Sequence, residues 1–99
     1  LVQSEGARFE NLVAIHLLKW VAYQQDVAGR DVELRYFRDR DGREVDFVVV
    51  EGSRPILFLE AKWADAEVDR GLRYLSQKFP GVPAVQIAAT GTRDYVTAD

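Results

Sequence analysis

Apolar residues recur at Phe9, Leu12, Val13, Leu17, Trp20 and Val21, the spacing of one face of a helix. Ser4 stands where an N-cap is needed, and Glu5 and Glu10 put negative charge in the early turns. A helix is therefore predicted over 4–25. Ile15, Leu18 and Ala22 add a second apolar strip. That strip predicts a helix packed on a sheet on one side and on something else on the other. The polar stretch 24–30, with Gly29, reads as its exit loop. From position 32 the period changes to two. Val32, Leu34 and Tyr36 alternate with Glu33, Arg35 and Phe37, predicting a strand over 32–38. Asp39-Arg40-Asp41-Gly42 reads as a hairpin turn, with Gly42 free to take positive φ. Strands are predicted at 43–50 and 56–63, separated by a turn at 51–55. The apolar run in the 56–63 strand predicts cover on both of its faces.

Asp65 can cap a second helix running to about Lys78, with Val68, Leu72, Leu75 and Phe79 at helical spacing. Pro80-Gly81 ends it, and 82–88 reads as a fourth strand. A helical crossover makes that strand parallel to the third. Tyr95 and Val96 suggest a further element. The expected fold class is α/β: α-β-β-β-α-β, with a mixed central sheet of four or more strands flanked by helices. One domain over 1–99 is expected.

Composition narrows the chemistry. The chain has 99 residues, no Cys, one His and a formal charge of -3. Disulfide scaffolds, thiolate zinc sites and cysteine nucleophiles are excluded, and a His-based triad is hard to build. No apolar run is long enough for a membrane helix, so no membrane partner and a cytoplasmic location are expected. The absence of any Met, even at position 1, suggests a piece of a longer polypeptide. No G-x-x-x-x-G-K-[ST] loop occurs, so any ATP hydrolysis belongs to other residues.

The informative residues are charges where the pattern asks for apolar side chains. Asp46 shares a strand face with Val48 and Val50, and Glu60 and Lys62 share one with Ile56 and Phe58. A short turn can bring Asp46 beside Glu60. Glu10 lies inside the apolar arc of the first helix, near Val13 and Leu17. Burying isolated charges costs several kcal/mol each, and converging carboxylates must share a proton or a cation. Mg²⁺, or Mn²⁺ in its place, suits such oxygen donors. A lysine beside metal-held water can stabilise hydroxide or a pentavalent phosphate. Hydrolysis of a phosphodiester is the expected chemistry.

This order of residues resembles the PD-(D/E)XK nuclease superfamily: an inward Glu on the first helix, then Asp, then Glu-x-Lys across a hairpin. The matching positions are Glu10, Asp46, Glu60 and Lys62, and the likeness covers about Gly6 to Ala88. The stretches Arg-Phe-Glu-Asn-Leu-Val (8–13), Tyr-Phe-Arg-Asp-Arg-Asp-Gly-Arg-Glu-Val-Asp-Phe (36–47) and Leu-Glu-Ala-Lys-Trp (59–63) are similar to one branch. That branch is the nuclease-like domain found C-terminal to an AAA-type ATPase module in uncharacterised bacterial and archaeal proteins. The resemblance implies a restriction-endonuclease-like core. It implies that Asp46, Glu60 and the Ala61 carbonyl hold the metal, that Lys62 assists the attacking water, and that Glu10 supports the metal or its water. It also implies nucleic acid as partner, DNA before RNA, with the ATPase domain of the same chain as a second partner and self-association left open. Position 45 is Val where the motif has Pro, and no helix reads as rich enough in Lys or Arg to grip DNA.

Plainer readings stand beside these. Asp46 and Lys62 can form a cross-strand ion pair, with Glu60 satisfied by a backbone group. The fold can serve as a non-catalytic interaction or regulatory domain of the ATPase. Glu10 can be a surface acid at the helix edge, and Glu44 a solvated strand-end charge. His16 reads as a core histidine bonded to a carbonyl. Trp20 and Trp63 read as core or interface. The arginines at 30, 35, 38, 40 and 43 mix with acids as on a solvated hairpin, with Arg35, Arg38 or Arg43 as alternative phosphate grips. Tyr74 and Gln77 line either a substrate groove or an exposed helix edge.

Overall fold

The computed structural model describes residues 4–90 and 95–97. Its elements run α1 (Glu5–Asp26), β1 (Val32–Arg38), β2 (Glu44–Glu51), β3 (Arg54–Lys62), α2 (Arg70–Lys78), β4 (Ala84–Ala88) and β5 (Tyr95–Thr97). The strands form one sheet in the order β1-β2-β3-β4-β5. β3 and β4 pair parallel, and the other neighbours pair antiparallel. This is the expected mixed α/β sheet with α-β-β-β-α-β order, extended by β5. No helix among the described residues is long and apolar enough to cross a membrane.

Local chemistry sets the boundaries. Ser4 caps α1 by accepting from the Ala7 amide at 3.1 Å. In the β1–β2 turn the Asp39 carboxylate accepts from the Asp41 and Arg43 amides, both at 3.0 Å, and Gly42 takes φ 77°. That turn fixes register, because an Asx-type bond and a left-handed glycine leave few other paths.

The two sheet faces bury different residues. Val48, Val50 and Phe58 pack with Leu72 and Leu75 of α2 and with Ala84. Phe47 and Val49 are buried in alternation with Val48 and Val50, so they face the other side. α1 lies against β1 and β3. Phe58 and Leu72 are almost wholly buried, and burying a side chain of that size is worth about 1.5–3 kcal/mol.

Two expectations about the helices need correction. α2 begins at Arg70 rather than near Asp65, and Asp69 is its cap. The reason is Gln86, buried on β4. Its Oε1 accepts from the Asp69 amide at 2.8 Å, and its Nε2 donates to the Ala66 and Glu67 carbonyls. Those bonds hold the preceding chain out of the helix. α1 is also wetter than its pattern suggests. Only Val21 is fully buried; Leu12, Ile15 and Leu18 are each about half exposed. His16 is exposed rather than a core histidine, and Trp20 and Trp63 are also partly in solvent.

Candidate active site

Beyond the pair Phe47–Leu59 the β2–β3 ladder gives way to side chains. One further step in the same register sets Asp46 opposite Glu60, so both carboxylates lie on one face. The Asp46 amide donates to Glu60 Oε1 at 2.8 Å, and the Ala61 amide donates to Asp46 Oδ2 at 3.4 Å. The β1–β2 register supplies a reason. Between Arg35–Val48 and Phe37–Val45, β1 advances two residues while β2 advances three. The extra residue is a bulge at Asp46–Phe47. Such a bulge bends the strand and re-aims the side chain on it.

Lys62 follows two residues after Glu60 on the same face. Its ammonium is 3.3 Å from Glu60 Oε2 and 3.3 Å from Asp69 Oδ1. The cross-strand alternative, Asp46 paired with Lys62, is not among the described ion pairs; Glu60 and Asp69 take the lysine instead. The backbone half of that alternative does occur, in the Asp46 amide bonded to Glu60. Glu10 is exposed rather than inward, yet its carboxylate is close enough to feel Asp46 and Lys62. Glu44 is exposed and pairs with Arg38, as a strand-end charge should. The cleft over these groups is about 370 Å³ and is lined by Asp46, Glu60, Lys62, Asp69, Arg43 and Arg70, among others.

The titration of the cluster follows from its burial. Glu60 is only 6% exposed. Burial, then the charges of Asp46 and Asp69, push its pKa up to about 7 against the Asp46 amide and Lys62. Burial likewise raises Asp46, against the Ala61 amide and Lys62. Desolvation and then Asp46 raise Glu10. Burial opposes the Lys62 ammonium, but Glu60 and Asp69 outweigh it and its pKa is raised. Lys62 is therefore a cation at neutral pH and suited to stabilising negative charge, not to removing a proton.

Three carboxylates around one ammonium leave excess negative charge. Their donors are all oxygen, the type that Mg²⁺ and Mn²⁺ prefer. Among the described residues no three Asp, Glu, His or Cys groups are already gathered round one metal position. Glu60 Oε2 and Asp69 Oδ1 are turned to Lys62. The set fits an ion that takes one or two carboxylates and keeps water in its other positions.

Asp69 is the member that sequence reasoning missed. It serves twice, because its Oδ2 accepts from the Gly71 and Leu72 amides while Oδ1 faces Lys62. The only trace of this in the sequence is an Asp at N-cap distance from Leu72, together with a Gln inside the apolar strand 82–88. Gln86→Ala should strand the Asp69 amide and two loop carbonyls. A loss of about 1–3 kcal/mol is expected. A urea unfolding curve measures it, and an unchanged midpoint would show that the loop is held by other means.

The fold and cleft thus define a mixed α/β domain with an acidic pocket where two central strands part. The chain belongs to the family described as "Domain of unknown function (DUF4143)", whose model matches residues 5–98. No curated protein matches the chain. No solved structure matches it either.

Proposed function

We propose that this domain is a metal-dependent nuclease-like module that hydrolyses nucleic-acid phosphodiesters, DNA before RNA, within the PD-(D/E)XK superfamily. What supports the reading most is the meeting of Asp46, Glu60 and Lys62 on one face at the parted end of β2 and β3. Asp46, Glu60 and the Ala61 carbonyl would hold Mg²⁺ or Mn²⁺. When bound, the ion would supply Lewis acidity toward the phosphate and its water. Lys62 holds a positive charge where the pentavalent phosphate becomes more negative. Asp69 positions that ammonium, and Glu10 would support the water from the rim. In this reading the domain works in the cytoplasm, beside an AAA-type ATPase module of the same chain.

The test is cleavage of supercoiled plasmid and single-stranded DNA with Mn²⁺. Lys62→Ala should reduce the rate by at least about a hundredfold, the scale of losing one transition-state charge contact. Cleavage that survives Lys62→Ala at full rate would show a contaminating nuclease. A second reading is a docking module for the ATPase without catalysis. The half-exposed strip Leu12, Ile15 and Leu18 on α1 favours it. It requires the ATPase module to co-purify with this domain, and to lose it on Ile15→Glu.

A further inference from the structure

The outer side of α2 carries Arg70, Arg73, Tyr74 and Gln77 at i, i+3, i+4 and i+7, so they form one stripe. Arg70, Arg73 and Gln77 are exposed, while Gly71, Leu72 and Leu75 face the core. With Arg43 and Asp41 the stripe lines a cleft of about 580 Å³. Arg43 and Arg70 also line the acidic cleft, so the two depressions adjoin. The helix carries only a few basic residues, but Arg70 and Arg73 lie together on this one stripe.

The stripe is built rather than accidental. Arg43 lies 3.6 Å from the centre of the Tyr74 ring and bonds Asp39 at 2.6 Å and Asp41 at 3.0 Å. Its charge is therefore neutralised, and it serves as a wall. Arg70 is aimed by a hydrogen bond from its Nη2 to the Asp41 carbonyl. Among the described residues no carboxylate forms an ion pair with Arg70 or Arg73. Two uncompensated guanidinium groups, a phenol and an amide thus line a groove next to an acidic, lysine-bearing pocket. Guanidinium forks match phosphate oxygens. The Tyr74 ring is covered by Arg43 and stacked with Phe37, so it has little to offer a base.

We propose that the Arg70–Arg73–Gln77 stripe of α2 binds the phosphate backbone of a nucleic-acid strand and leads it past Arg70 into the acidic cleft. The proposal rests on reading that cleft as the hydrolytic site, and it adds where the neighbouring phosphates are held. Recognition is of the backbone, so it is independent of sequence.

Binding is measured by fluorescence anisotropy with a fluorescein-labelled single-stranded oligonucleotide, in EDTA at low salt, where no cleavage occurs. Arg73 makes no described side-chain contact, so Arg73→Glu should fold normally, as a thermal melt will show. It should weaken binding at least about tenfold and lower the slope of log K against log salt by about 1. Arg54→Glu, at the far end of β3, should leave both unchanged. Unchanged binding in Arg73→Glu overturns the proposal. So does an equal loss in Arg54→Glu, or no binding by the wild type. Binding that depends on Arg73 in a protein that Mn²⁺ does not stabilise would keep the stripe and remove the hydrolytic reading.

Discussion

Gly71→Ala should lower the melting temperature by about 10–20 °C, the largest effect expected of any single methyl in this chain. Gly71 is in the first turn of α2, and that turn presses on the backbone of β2. A Cβ at this position would sit 2.7 Å from the Glu44 nitrogen, 2.8 Å from its carbonyl carbon and closer still to its oxygen. None of these atoms can rotate away, so the helix or the strand must move. Overpacking of this kind costs about 1–3 kcal/mol and more where backbone is struck, and 1 kcal/mol shifts a domain of this size by about 4–8 °C. The displacement would also carry Asp69 away from Lys62, because the Gly71 amide donates to Asp69 Oδ2 at 2.9 Å. Gly52→Ala is the control. Gly52 has φ 63° with open space around it, so only the backbone penalty of about 1–2 kcal/mol is expected. Scanning calorimetry compares the two. If Gly71→Ala melts within a few degrees of wild type, the close packing of α2 on β2 is wrong.

The second large effect is the pH dependence of stability and its partial offset by a divalent ion. The Glu60 carboxyl has its pKa raised from 4.5 to about 7 on folding, through burial first and then the charges of Asp46 and Asp69. The folded chain holds this proton more tightly than the unfolded chain. The resulting stability is fully present below pH 4.5 and is lost as pH rises to about 7. Asp46 and Glu10 shift in the same direction. The loss attributed to Glu60 is on the order of 3 kcal/mol, at about 1.4 kcal/mol per unit. Urea unfolding at pH 5 and pH 8 should show it, and Glu60→Gln should flatten the profile.

A bound cation should offset part of this loss. If Glu60 takes the ion, Mn²⁺ must compete with the proton there, so its stabilisation should be small at pH 5.5 and grow toward pH 8. At ten times its Kd an ion adds about 1.4 kcal/mol, roughly 6–10 °C here. Glu60→Gln and Asp46→Ala should abolish the rise. A melting temperature that Mn²⁺ leaves unmoved at pH 8 ends the metal reading. A profile that Glu60→Gln leaves unchanged ends the account of the buried proton.

Much of the site was legible before any coordinates. Asp46, Glu60 and Lys62 stood out because they break the apolar rhythm of strands, and a short hairpin leaves few ways to pair them. Asp69 and Gln86 stayed hidden because their local traces, an Asp at N-cap distance from Leu72 and a Gln in an apolar strand, do not say what the side chains meet. Their roles depend on a loop that crosses from β3 to α2 and lies over β4. Glu10 was read inward because helical periodicity gives direction around an axis, not depth. The arginine stripe of α2 had the right spacing all along, but spacing does not say which pocket a helix face adjoins.

The order of elements, the hairpin at Asp39–Gly42 and the pairing of acids across β2 and β3 were determined by the sequence alone, since periodicity and turn chemistry act over a few residues. Tertiary structure alone decided the start of α2, the second duty of Asp69, the exposure of α1 and the meeting of acidic and basic clefts. These depend on contacts between residues far apart in the chain, whose geometry is set only when the helices settle on the sheet.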